Sequence, residues 1–266
     1  MTVPVALTIA GSDSSGGAGV QADIKTFAAF GVYGASVITA LTAQNTRGVS
    51  GIHPVPAAFV TAQMDAVFDD LDVAAVKIGM VAELSIIEAI ASALARWKPK
   101  HIVLDPVMVA TSGDRLLSTD AVSALRERLI PLASLITPNL PEAAALLGES
   151  VASDETAIAS QGKRLLAMGA AAVLIKGGHG KDSESIDYLF SGSDTIALPA
   201  PRIATRNTHG TGCSLSSAIA AGLAKGETLN TAVRDAKTWI TEAIAAADRL
   251  GVGHGHGPIH HFHRFD

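Results

Sequence analysis

The chain has 266 residues, 48% of them hydrophobic, and a formal net charge of −5 at pH 7. That size and apolar content suit one α/β unit with a sizeable core, and the mildly acidic balance gives no footing for nucleic acid or an anionic membrane surface. Its single cysteine, Cys213, excludes an intramolecular disulfide; no apolar run reaches the roughly 20 residues that span a bilayer, and Met1-Thr2-Val3-Pro4 lacks the basic start of a secretory leader, so a cytoplasmic enzyme is expected.

Val5-Ala6-Leu7-Thr8-Ile9 predicts a buried strand, followed by a Gly/Ser-rich loop from Gly11 to Gly19 and a helix from about Gln21 to Phe30. Ser36-Val37-Ile38-Thr39 predicts a second strand, and Pro56 to Phe68 a helix with proline in its first turn. Strands at Ala75-Val76-Lys77-Ile78 and His101-Ile102-Val103-Leu104 flank a helix from Ser85 to Trp97; a further helix spans Thr119 to Leu129. Ser134-Leu135-Ile136-Thr137 is a strand, with a helix from Pro141 and another over Thr156 to Met168. Ala172-Val173-Leu174-Ile175 is a strand, with two more near Tyr188-Leu189-Phe190 and Thr195-Ile196-Ala197; helices over Gly212 to Ala224 and Thr228 to Leu250 close the chain. Near-continuous apolar strands separated by helices predict a mostly parallel sheet covered on both faces, and no repeat or low-complexity linker divides residues 1–266. In such sheets ligands lie beyond the carboxyl ends of the strands. Gly11, Gln44, Gly79, Asp105, Asn139 and Lys176 all follow predicted strands, so they converge on one sheet edge.

The sharpest motif is Asn207-Thr208-His209-Gly210-Thr211-Gly212-Cys213, which runs into a small-residue helix. Unpaired backbone N–H groups and the positive end of the helix dipole meet there, which suits an anion, phosphate above all. A glycine-rich turn before a packed helix is the plainer alternative. Cys213 stands where developing negative charge would be stabilised; a helix N-terminus is expected to lower a thiol pKa, while a lone cysteine is otherwise a small buried hydrophobe. Only glycine at 210 and 212 lets the backbone approach closely. Asn139 and Glu142 lie three apart at a helix start, which fits a capping box as well as a shared polar site. Lys176 ends an apolar strand before Gly177-Gly178, so its charge must emerge at the sheet edge.

The turn resembles the anion hole of the ribokinase-like kinases, and its Thr-His-Gly-Thr-Gly-Cys form resembles the hydroxymethylpyrimidine/phosphomethylpyrimidine kinases of thiamine biosynthesis. Ala10-Gly11-Ser12-Asp13, Ser15 to Asp23, Thr42-Ala43-Gln44-Asn45-Thr46, Lys77-Ile78-Gly79-Met80, Asp105-Pro106-Val107-Met108, Thr137 to Glu142, Lys176-Gly177-Gly178-His179 and Gly257 to Phe262 resemble the same family in its order. Ser14 and His254 stand where proline and lysine are usual in it. The resemblance implies a three-layer αβα kinase that phosphorylates 4-amino-5-hydroxymethyl-2-methylpyrimidine with ATP, then phosphorylates the monophosphate, with Mg2+ and as a homodimer. A pyridoxine or pyridoxal kinase of the same fold is the alternative, and a non-catalytic ligand-binding protein on that fold is another.

On that reading Cys213 is the general base, and Gly210, Thr211 and Gly212 are backbone donors to the transferred phosphoryl group. Asp105 and Glu142 are the magnesium carboxylates, since that ion takes few protein ligands. Asn139, Lys176, Thr211 and Lys237 serve the nucleotide. Gln44 and Asp23 would read the aminopyrimidine, an amide both donating and accepting, with Gly11 allowing close approach and Met80 and Val107 as apolar walls. His254, His256, His260, His261 and His263 fit no strong zinc spacing, and a solvated or locally packed tail is expected.

Overall fold

The structure, a computed structural model, describes residues 2–108, 118–178 and 184–265; His179 lies outside them. In chain order the elements are β1 (Val5–Asp13), α1 (Gly19–Ala29), β2 (Tyr33–Asn45), β3 (Gly48–Pro54), α2 (Ala57–Asp70), β4 (Val73–Ile78), α3 (Leu84–Trp97), β5 (Ile102–Leu104), α4 (Thr119–Ala124), β6 (Leu135–Ile136), α5 (Leu140–Leu147), α6 (Glu155–Leu166), β7 (Ala172–Ile175), β8 (Asp187–Ser191), β9 (Asp194–Leu198), α7 (Thr211–Ala224) and α8 (Leu229–Ala245). The strands form one sheet in the order β3-β2-β1-β4-β5-β6-β7-β8-β9. It is parallel from β2 through β7 and antiparallel at both edges.

Alternation along the strands feeds two cores. On β4, Val76 and Ile78 join the layer of α2, α3, α5 and α6, whereas Ala75 faces α1, α7 and α8. Each such buried aliphatic side chain contributes about 1.5–3 kcal/mol through removal from water. On the α7 side Trp239 of α8 meets Phe30 edge-on, their ring centroids 5.3 Å apart.

Several boundaries differ from the sequence expectation. β1 does not stop at Ile9; after an irregularity at Ala10–Ser12 it continues, with Ser12 paired to Leu41 and Asp13 to Thr42. The lengthened β2 supplies those partners, so part of the expected loop becomes strand. β2 then turns back into β3, which the sequence reading lacked. The helix expected over Thr119 to Leu129 loosens into a π-helical turn at Leu125–Leu129, and the last helix ends at Ala245, before a 3₁₀ turn at Ala247–Arg249.

The strand order reverses between β1 and β4, since the chain builds outward from that point in both directions. A crevice therefore opens at the carboxyl ends of these strands.

Candidate active site

A cleft of about 710 Å³ occupies that crevice. Gly11, Gln44, Met80 and Val107 line it together with Asp105, Asn139, Glu142, Lys176, Lys237 and the whole Gly210–Cys213 turn. Five of the six strand-end residues thus meet, although they come from all parts of the chain; Gly79 does not line the cleft and packs beside Lys77.

The turn is held from two sides. Gly210 has φ +80°, and a Cβ on it would collide with the carbonyl oxygen of Gly17. α7 begins at Thr211 with no side-chain cap; the Thr211 N–H itself donates to Thr208 O at 3.2 Å, so a ligand is left the N–H groups that follow it. His209, just before it, donates from Nε2 to Asp13 Oδ2 at 2.8 Å, because an ionised carboxylate can only accept. Its backbone N–H donates to Gly257 O at 3.0 Å, so the Gly257-Pro258 stretch braces the turn from behind. Asp13 also accepts from the N–H groups of Ser15, Gly17 and Ala18. Burial would raise its pKa, but the bonds from His209, Ser15 and Ala18 win and hold it at about 2.

Beside the turn lies a charged cluster. A Cβ on Gly212 would sit 3.2 Å from Lys176 Nζ and 3.5 Å from Asp105 Oδ2. Lys176 pairs with Asp105 at 2.7 Å and with Glu142 at 3.9 Å. Burial lowers the ammonium pKa of Lys176, yet Asp105 and Glu142 outweigh it and keep the charge fixed. Asp105 accepts a further bond from Thr137 at 3.0 Å. Glu142 and Asn139 form the capping box of α5, with both reciprocal bonds at 2.8 Å. Burial, and then the charge of Asp105, raise Glu142 to about 7 against the pull of Lys176. The cap is therefore real, and a strained carboxylate coexists with it. Asp105 and Glu142 are hard oxygen donors crowded by each other, which fits a small divalent cation.

On the far wall Lys237 pairs with Asp187 at 2.8 Å and donates to Ser185 O at 3.1 Å. Arg202 donates to Gly178 O at 2.8 Å and tethers the segment after β7. On the near wall Gln44 lies between Thr42, 3.0 Å away, and His209, 3.4 Å away. A Cβ on Gly11 would fall 2.5 Å from Met80 Cε, so glycine leaves that wall flat.

Two expectations are corrected. Asp23 does not line the cleft: it is fully buried in an ion pair with Lys77, whose buried ammonium on β4 needs a carboxylate beside it. The thiol pKa of Cys213 is not lowered. Burial pushes it up to about 11; Asp23 and Asp105 add to the rise, and Lys77 only partly opposes it. Sequence reasoning also gave no role to Asp13, His209, Lys77 or Arg202. A lysine inside an apolar strand was the available signal for the Lys77 pair.

The histidine-rich tail is packed. His260 and His261 are buried, and His261 Nε2 pairs with Ser214 Oγ at 2.9 Å. Burial, then Lys25 and His260, hold His261 down at about 3, so it is neutral. Among the described residues no group of three or more His, Cys, Asp or Glu could hold a metal.

Comparison with known proteins gives a consistent picture. The family model described as phosphomethylpyrimidine kinase matches residues 13–260. A hydroxymethylpyrimidine/phosphomethylpyrimidine kinase of Rhizobium meliloti is 61% identical over 261 residues, covering 98% of both chains. The solved ADP complex of Bacillus subtilis pyridoxal kinase superposes with a TM-score of 0.92 at 37% identity, over 99% of each chain. A phosphomethylpyrimidine kinase of Clostridium difficile superposes with a TM-score of 0.81 at 44% identity, over 91% of this chain and 100% of that one.

Proposed function

The chain belongs to the phosphomethylpyrimidine kinase family, and from that premise we propose that its cleft moves the γ-phosphoryl group of ATP to 4-amino-5-hydroxymethyl-2-methylpyrimidine and then to the resulting monophosphate, toward thiamine diphosphate. The observation that carries this reading is the uncapped start of α7, which opens beside the Lys176–Asp105–Glu142 cluster in one cleft with Gln44 and Met80.

Phosphoryl transfer has a loose transition state, so positioning and charge neutralisation dominate. The N–H groups of Gly210 and Gly212 donate to the transferring oxygens, joined by that of Thr211 when it leaves Thr208 O. Lys176 neutralises the terminal phosphates, and Asn139 and Lys237 line the nucleotide end. Asp105 and Glu142 would hold Mg2+, which supplies positive charge to the phosphate oxygens. Gln44 orients the pyrimidine ring against Met80 and Val107.

In the first step the substrate oxygen bonds to Pγ, the bond from Pγ to the bridging oxygen breaks, and ADP leaves. The hydroxyl proton passes to the Cys213 thiolate. With the thiol near 11, that form is scarce at neutral pH, so the first step accelerates as pH rises. In the second step the acceptor is a phosphate already ionised near neutral pH, and no base is needed.

Among the described residues no helix is long and apolar enough to cross a membrane. We place the enzyme in the cytoplasm as one catalytic domain. β3 is an edge strand, and Leu41, Ile52 and Phe59 remain exposed nearby, which supports a homodimer through that side.

Mass spectrometry of products from ATP, Mg2+ and the pyrimidine alcohol, with pyridoxine in parallel, tests the reading. Monophosphate followed by diphosphate is expected. Faster turnover of pyridoxine, or no product from the pyrimidine, overturns it.

A further inference from the structure

Four polar side chains meet beneath the first turns of α7, and none lines the cleft. Thr8 on β1 and Lys77 on β4 are direct cross-strand partners, so both point to the same face of the sheet. α1 and α7 pack on that face. Asp23 descends from α1 and Ser217 from α7. Lys77 Nζ lies 2.8 and 2.9 Å from the two Asp23 oxygens. Thr8 donates to Oδ2 at 2.6 Å and Ser217 to Oδ1 at 2.7 Å. All four residues are fully buried. Gly79 leaves the ammonium its place, since a Cβ there would stand 2.7 Å from Nζ.

Ser217 is one helical turn beyond Cys213, on the same side of α7. The ion pair is thus fixed directly behind the residue that faces the acceptor. A buried pair of this kind adds little net stability over well-packed apolar groups.

We propose that Lys77, anchored by Asp23, is a positioning residue for the reaction: its ammonium lies beneath α7 and favours the thiolate form of Cys213, the form that can take the acceptor's proton. The charged groups acting on the sulfur come from four elements. Lys77 on β4 favours the thiolate, while Asp23 on α1 and Asp105 after β5 oppose it. Lys176 after β7 also interacts with it, and the N–H of Gly19 donates to it. Lys77 and Asp23 therefore act on the sulfur in opposite directions, so removing one or the other should move it in opposite directions.

This inference rests on Cys213 being the proton acceptor, and the test separates the two. Cys213 is the only cysteine in the chain, so its alkylation by iodoacetamide at pH 8 reports thiolate content without ambiguity. Lys77→Met is expected to slow alkylation by about tenfold or more, and Asp23→Asn to speed it by about threefold. Lys77→Met is also expected to lower kcat for the alcohol about tenfold more than for the monophosphate, with the KM for ATP unchanged. Shifts of both variants in one direction, or no shift, overturn the proposal. If Lys77→Met fails to fold, Asp23→Asn decides alone, and unchanged or slower alkylation overturns it. If the alkylation shifts appear while Cys213→Ala keeps full activity on the alcohol, Lys77 acts on the sulfur as proposed and the proton-acceptor reading of Cys213 falls.

Discussion

Two lysine–aspartate pairs reach the first turn of α7, and they differ in what else surrounds them. Lys77–Asp23 is closed: both side chains have 0% exposure, and the carboxylate also accepts from Thr8 and Ser217. Lys176–Asp105 is open to the cleft, with 13% and 2% of the side chains exposed and a second carboxylate, Glu142, 3.9 Å from the ammonium. A closed pair has no alternative partners and stays put. An open pair with a surplus carboxylate holds more negative charge than its lysine neutralises, so it can exchange partners when phosphate and a cation arrive. The same chemical pair is fixed in one place and free to exchange partners in the other, and satisfaction of the remaining lone pairs makes the difference.

The largest effect should come from breaking the open pair. Lys176→Met removes the cation beside the anion hole and leaves Asp105 and Glu142 facing each other. kcat/KM for ATP is expected to fall about 100- to 1000-fold in steady-state kinetics, as for loss of a transition-state donor. A loss below about tenfold would remove Lys176 from the phosphate site.

Cys213→Ala comes next, and it sharpens the contrast by acting where the closed pair ends. The first phosphorylation is expected to slow about 100-fold more than the second, because only the first acceptor has a proton to lose. In the wild type, kcat/KM for the alcohol should climb about tenfold per pH unit from pH 7 to 9, below the thiol value of about 11, while the monophosphate reaction stays flat. Equal losses on both steps would reduce Cys213 to a packing role.

Gln44→Ala lies away from both pairs and should be mildest. Loss of a buried polar contact costs about 1–3 kcal/mol, so the pyrimidine should bind roughly five- to a hundred-fold more weakly in calorimetry, with ATP affinity unaltered. Unchanged pyrimidine binding would remove Gln44 from the acceptor side.

The parts legible in the sequence are those written locally. Apolar strands and intervening helices gave away the sheet, and polar or glycine residues just after strands gave away the cleft edge. The Gly-Thr-Gly turn was equally plain, because φ and close approach constrain residue type. β3 was hidden: Gly48-Val49-Ser50-Gly51-Ile52-His53-Pro54 carries two glycines and a proline, and only pairing with the long β2 makes it a strand. Asp23 was misplaced because its partner Lys77 lies 54 residues away, and an acid early in a helix reads equally well as dipole compensation. The Cys213 thiol was misjudged because burial depends on tertiary packing, and here it pushes the pKa up. At Glu142 spacing left capping and metal binding open, and the structure shows the cap formed by a carboxyl whose pKa burial and then the charge of Asp105 raise.

The open cluster is the centre of the account, and magnesium dependence tests it most directly. Glu142 titrates at about 7, above its ordinary value, so it is protonated below that pH and free to hold a cation above it. The half-saturating magnesium concentration of the wild type should fall roughly tenfold between pH 6 and 8. Glu142→Gln keeps an oxygen for the Asn139 N–H, so the cap and the melting temperature should be nearly preserved. It should need more magnesium at pH 8, recover in part at high magnesium, and lose the pH dependence. A magnesium titration identical to wild type at both pH values would contradict the account and leave Asp105 as the sole carboxylate for the metal.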